Sequence, residues 1–182
     1  MNQPVRLRAD TRARFSAAEF LHMVRAGAFD DIKVELVEGE LERRGPPMGG
    51  HAAGQASVVI RLAAVLGESL VCGEVGVVLS EDTVVGCDAA VLRAPTVERS
   101  FLEPADLVLV VEVAETTLAR DLGTKRALYA AAGVAIYWVV DGARDVVHVF
   151  SEPVDGEYAS VATVRFGAPL AVPGTLSHIV LG

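Results

Sequence analysis

Apolar and polar positions repeat at two different periods along this chain, and each change of period marks an element. From residue 16 the spacing is helical. Phe20, Leu21 and Val24 make one stripe, Ser16 and Glu19 stand three apart as a capping box, and Gly27 predicts the helix end. Val34-Glu-Leu-Val-Glu-Gly-Glu-Leu-Glu42 then alternates at period two, predicting two short strands around a turn at Glu38-Gly39, with Val34, Leu36 and Leu41 on one face and the acids on the other. After a Gly/Pro loop over 45–50, Val58, Leu62, Val65 and Leu66 predict a helix from His51 to Glu68. Strands follow over Gly76–Leu79 and Asp88–Arg93, then a loop over 94–105 holding Pro95 and Pro104.

Two later runs are apolar without alternation, as in strands buried on both faces: Asp106–Ala114 and Val134–Val140. Between them a helix, opened by Thr116 or Thr117, runs to about Ala132 and stops at Gly133. Strand, helix, strand implies a parallel pair with a right-handed crossover. Asp141-Gly142 signals a hairpin into Asp145–Phe150, a further strand starts near Gly156, and Pro173-Gly174 precedes a short apolar tail. Hairpins thus flank a βαβ-type unit. The expected class is α/β (mixed α+β): a mixed central sheet with helices on its faces.

Composition narrows this picture. A chain of 182 residues with 52% hydrophobic content is expected to fold as one domain, here 15–182, behind a flexible arm at 1–14 that carries Arg6, Arg8, Arg12 and Arg14. A net charge of −8 argues against a broad basic face for nucleic acid and leaves room only for a local grip. Cys72 and Cys87 have neither disulfide-framework nor zinc-site spacing. The longest uncharged stretch, Ala127–Val140, is too short to span a bilayer and is divided by Gly133, and the N-terminus has no secretory h-region, so a soluble cytoplasmic protein is expected.

The chemistry begins at Glu112. It is the one charge inside Asp106–Ala114, a nine-residue run in which seven residues are aliphatic. An unpaired carboxylate there would cost several kcal/mol, so it must be neutralised, ion-paired or bound to metal. Asp88, placed at the start of a strand, and Glu112, late in the next one, could share one Mg²⁺ ion (or Mn²⁺ in its place), because such an ion needs only one or two carboxylates, with waters and a substrate phosphate completing its shell. Lys125, on the helix leaving the Glu112 strand, could steady an attacking water or offset charge in a phosphoryl transition state. Glu35 on the first hairpin is a fourth candidate. Each has a plainer use: Glu112 as a salt-bridged buried acid, Asp88 as a turn former, Glu35 as the exposed side of a hairpin, and Lys125 as the surface partner of Asp121 one turn earlier.

The chain resembles the Uma-type family of putative restriction endonucleases, which carry the PD-(D/E)XK nuclease fold. The resemblance rests on Val34-Glu-Leu-Val-Glu-Gly-Glu-Leu41, Pro46-Pro47 with His51, Asp88-Ala-Ala-Val, Asp106-Leu-Val-Leu-Val-Val-Glu-Val, Arg120-Asp-Leu-Gly-Thr-Lys125, Leu128-Tyr129, Ala132-Gly-Val134 and Tyr137-Trp-Val-Val-Asp141. It implies a restriction-endonuclease-like fold, Asp88 and Glu112 as metal ligands, Lys125 in place of the lysine that other such nucleases carry two residues after the acid (here Ala114), and Glu35 as an added acid. The chain departs from the family's pattern at Cys87, where proline is usual, at Ala114-Glu-Thr-Thr117, where a serine-proline turn is usual, and at Ile136, where an acid is usual.

Two functions follow as expectations. One is a Mg²⁺-dependent endonuclease that hydrolyses DNA phosphodiesters through Glu35, Asp88, Glu112 and Lys125, with a homodimer supplying one site per strand. The other is a catalytically inactive interaction module, or a homodimeric binding protein, that keeps the fold.

Overall fold

The computed structural model describes residues 13–46, 49–96 and 101–182. The basic arm expected at 1–14 lies outside these except for its last two residues. The expected capping box forms: Ser16 caps α1 (Ala17–Arg25) while the Glu19 carboxylate returns to the Ser16 N–H. The first hairpin forms as well, pairing β1 (Lys33–Val37) with β2 (Glu40–Arg44). Its two turn residues, Glu38 and Gly39, both take positive φ, as a tight two-residue turn requires. The acid–apolar alternation misled on one point. β1 is covered on both faces, so Glu35 is buried beside Leu36, while Leu41 is partly exposed.

Helix α2 (Gly49–Leu66) leads through a short 3₁₀ turn to a long hairpin of β3 (Val71–Ser80) and β4 (Thr83–Leu92). Both strands extend well beyond their predicted bounds, because Gly73, Gly76 and Gly86 dilute the hydrophobic pattern without breaking the ladder. Asp88 therefore lies inside β4 and not at its start. Strand β5 (Leu107–Ala114) pairs antiparallel with β4 and parallel with β6 (Ile136–Asp141), the parallel pair expected from the 106–140 pattern. The connection holds α3 (Leu118–Arg120), a π-helical turn (Asp121–Lys125) and α4 (Arg126–Ala131). Strands β7 (Val146–Val154) and β8 (Glu157–Arg165) extend the sheet, and β9 (Leu170–Ala171) and β10 (His178–Ile179) form a small separate pair.

The main sheet runs β2-β1-β4-β5-β6-β7-β8, with β3 on β4. A cluster containing Val110, Tyr129, Tyr137 and Phe150 packs α4 against it. A second, containing Leu62, Val111, Trp138 and Ile179, packs α2 and the C-terminal pair. A third seats Phe20 of α1 on Leu36 and Val84. Among the described residues, no helix is long and apolar enough to cross a membrane.

Strand β4 changes partners along its length. On one edge it follows β3 throughout. On the other it meets β1 at Val84 and β5 only from Ala89 onward. Residues 85–88 on that edge lack a ladder partner, so their backbone groups must be satisfied by something else.

Candidate functional site

Side chains fill the gap in the sheet, among them the candidates Glu35, Asp88 and Lys125. The Gly86 N–H donates to Glu35 Oε1 at 3.0 Å, and Lys125 Nζ donates to the Gly86 carbonyl at 2.7 Å. Gln55 Nε2 donates to the Asp88 carbonyl at 2.8 Å. Where β4 and β5 part, the Val113 N–H finds the Asp88 carboxylate at 2.6 Å. Continuing the Ala89–Val111 register by one step sets Asp88 against Glu112. The sequence thus places acids, a lysine and an amide where a strand would otherwise lie.

Lys125 is the hub. Its ammonium lies 2.7 Å from Glu112 Oε1 and 3.4 Å from Glu35 Oε1. The turn that carries it is π-helical. The one-residue slip of such a turn, a feature frequent at functional sites, faces Lys125 inward together with Asp121. The surface Asp121–Lys125 pair suggested by their spacing is therefore corrected: both are buried. Asp121 Oδ2 accepts from Thr117 Oγ1, its Oδ1 has no partner, and its carbonyl accepts from the Tyr137 hydroxyl at 3.0 Å.

The four expected residues come together. Glu35 joins Lys125 to Arg120, whose Nη2 reaches Glu35 and Glu42 at 2.7 Å each, with Arg44 at 3.5 Å from Glu35. Asp88 Oδ1 lies 3.0 Å from His51 Nε2 at the start of α2. Glu112 Oε1 takes both of that residue's hydrogen bonds, from Lys125 and from the Tyr129 hydroxyl at 2.9 Å. Its Oε2 takes none among the described residues, and Glu112 lines the adjoining cavity. Glu35, His51, Asp88, Glu112 and Lys125 all border that cavity, whose volume is about 530 Å³.

Burial would raise the pKa of Glu35, but Lys125, Arg120 and Arg44 outweigh it and hold the carboxyl below its ordinary value. Burial would likewise discharge Lys125, yet Glu112 and Glu35 together keep it protonated. Glu112 goes the other way. Burial pushes it up to about 8 against the pull of Lys125, and the charges of Asp88 and Asp121 add to the rise. One ammonium serves two acids here, and Glu112 is the more weakly ionised of them.

Among the described residues, no three His, Cys, Asp or Glu side chains converge into a closed metal cage. Within the cavity lining, Asp88 and Glu112 are carboxylates from neighbouring strands whose continued register sets them opposite each other. That pair fits a hard, hydrated cation such as Mg²⁺ or Mn²⁺, which keeps waters and takes substrate phosphate oxygens as its remaining ligands.

Sequence reasoning passed over Arg120, Gln55 and the Tyr129 hydroxyl as parts of the site. The available signal was the spacing of Asp121, Lys125 and Tyr129, three polar groups four residues apart on one helical face directly after Arg120.

A model of the family described as "Uma2: Putative restriction endonuclease" matches residues 17–181. No curated protein matches the chain. Among solved structures, a putative nuclease of the DUF820 group from Anabaena variabilis superposes with a TM-score of 0.69 at 19% identity, covering 91% of this chain and 94% of that one. This likeness establishes the shared fold.

Proposed function

We propose, on the premise that this chain belongs to the Uma2 family of putative restriction endonucleases, that it is a metal-dependent nuclease hydrolysing DNA phosphodiester bonds. The observation that carries the reading is that Asp88 and Glu112, from two strands that part at this point, border one cavity with Lys125 within hydrogen-bond reach of Glu112.

Asp88 and Glu112 would hold the ion, through Glu112 Oε2 and the Asp88 carboxylate. A bound Mg²⁺ or Mn²⁺ would supply Lewis acidity and a water of lowered pKa. The remaining work belongs to the chain. Val113 N–H and His51 fix the Asp88 carboxylate, and Tyr129 and Lys125 fix that of Glu112, so the donors are oriented before a ligand arrives. Lys125 stays protonated between two acids, so it cannot serve as the base. It is suited to donating toward the water or toward the charge that grows on the phosphoryl oxygens. Glu35, ionised and clamped by Arg120, holds Lys125 in place.

The test is cleavage of DNA by purified protein across Mg²⁺ and Mn²⁺, beside Asp88→Ala and calorimetric metal titration of wild type against Glu112→Gln. Metal-dependent cleavage lost in Asp88→Ala, with metal heat lost in Glu112→Gln, supports the reading. A second reading, a non-catalytic interaction module, is favoured by the protein partners each acid already has. Equal metal heats for both proteins and no cleavage would select it.

A further inference from the structure

The cavity does not end at the acids. Its lining also includes Phe29, Phe101 and the edge of the buried Phe20, together with Arg43 and Arg44, which as neighbours in β2 leave that strand on opposite faces. Phe20 and Phe29 stack with ring centroids 5.6 Å apart. Phe101 lies directly on Gly76, where an added Cβ would sit 2.3 Å from its ring, so the absence of a side chain at Gly76 is what admits the phenyl group. Among the described residues Arg43 makes no ion pair, and Arg44 has only the longer contact to Glu35. Two aromatic rings, Phe29 and Phe101, basic residues of β2 and a pair of acids suited to a metal ion thus border one recess of about 530 Å³. This is a place for a flat apolar ring attached to a phosphate.

The recess also limits what can reach the acids. The Glu112 and Lys125 side chains are only 5% and 3% exposed. A stacked base pair in a duplex, about 20 Å across with its phosphates on the outside, cannot enter a pocket of nucleotide size, whereas an unpaired nucleotide can, and proteins that hold unpaired nucleotides do so by stacking bases on aromatic rings beside basic groups.

We infer that the site takes an unpaired nucleotide, in single-stranded DNA or at a frayed or flapped end, with its base against the Phe101 side of the cavity, its phosphate between Arg44 and the acids, and the adjoining backbone toward Arg43. The inference rests on the nuclease reading for what happens to the phosphate, but not for the binding itself. A single-stranded substrate needs one active site, so it removes the reason for expecting a dimer.

The test separates binding from cleavage. A short single-stranded oligonucleotide carrying a fluorescent adenine analogue, and the same sequence as a blunt duplex, are titrated with the full chain in Ca²⁺ and in EDTA, then offered for cleavage in Mg²⁺ and Mn²⁺. The single strand is expected to bind at least about tenfold more tightly than the duplex, with quenching of the analogue by stacking, and Phe101→Leu is expected to weaken it about tenfold. Leucine keeps the apolar volume and removes the ring, and a thermal melt confirms folding. Arg43→Gln, at an exposed position, should weaken binding and reduce its salt dependence. Equal binding of single strand and duplex, or unchanged affinity in both variants, overturns the inference and leaves the nuclease reading standing. Tight single-strand binding without cleavage in either metal upholds the inference and removes the nuclease reading.

Discussion

Glu112→Gln in metal-free protein should remove most of the fall in stability with rising pH. Burial raises this carboxyl from its ordinary 4.5 to about 8. Between those values the native state holds a proton that the unfolded chain has released, so stability falls as pH rises through the interval. At roughly 1.36 kcal/mol per pH unit the ceiling is about 5 kcal/mol. Lys125 shares the site, so about half of this, ~2–3 kcal/mol, is the expected loss between roughly pH 5 and pH 8.5. Glu35 does not confuse the result: its pKa is lowered, so its contribution is present above the ordinary value and is lost only as pH falls below it. Glutamine keeps an oxygen acceptor for Lys125 and Tyr129 and cannot ionise. Urea denaturation in EDTA across that range should give a falling curve for wild type and a nearly flat one for the variant, which becomes the more stable protein at the alkaline end. Parallel curves for the two proteins would refute the assignment of the buried titration to Glu112.

Three further outcomes follow from the same geometry. Mg²⁺ must displace the proton on Glu112, so the rise in melting temperature on adding Mg²⁺ should grow between about pH 6 and pH 8, level off above, and vanish in Asp88→Asn; a pH-independent rise would count against the two-acid site. Lys125→Met strands Glu35, Glu112 and the Gly86 carbonyl, and should cost about 3–5 kcal/mol in urea denaturation at neutral pH, with recovery toward wild type when Glu112→Gln is added. Gly76→Ala should displace the Phe101 ring at a cost of about 1–3 kcal/mol and reduce single-strand binding along with it, whereas unchanged stability would mean the ring moves aside freely.

The elements written as local pattern were legible in the sequence: the capping box at Ser16, the Glu38-Gly39 turn, and the two apolar strands with their crossover. The long β3–β4 hairpin was largely hidden. Its glycines carry no hydrophobic signal, although Gly76 and Gly86 pair with each other across the ladder. At the site, the identities of Asp88, Glu112, Lys125 and Glu35 were readable, but the cause of their burial was not. Alternation placed Glu35 on a solvent face and helical spacing placed Asp121 and Lys125 on a surface. A gap on one edge of β4 draws Glu35 and Lys125 in, and the π turn faces Asp121 inward with Lys125. Both are tertiary facts, set by where β4 exchanges β1 for β5.

That gap bears on whether the acids are structural or functional. Satisfying the Gly86 N–H and carbonyl needs one acceptor and one donor, and Glu35 with Lys125 supplies both. Glu112 satisfies no backbone group. Its Oε1 is held by Lys125 and Tyr129, while its Oε2 accepts no hydrogen bond among the described residues. Glutamine at this position would keep an acceptor for Lys125 and Tyr129 without burying a charge, and Lys125 would retain Glu35 and the Gly86 carbonyl as partners. A chain selected for stability alone has no reason to keep a carboxylate whose burial lifts it to about 8. The destabilisation is localised beside Asp88, in a residue lining the cavity, the setting in which a perturbed acid marks a candidate functional site. The comparison of Glu112→Gln with wild type makes this concrete: if the acid serves only the fold, the variant should lose stability, whereas a functional acid predicts that it matches or exceeds wild type above about pH 8 and that it loses metal binding.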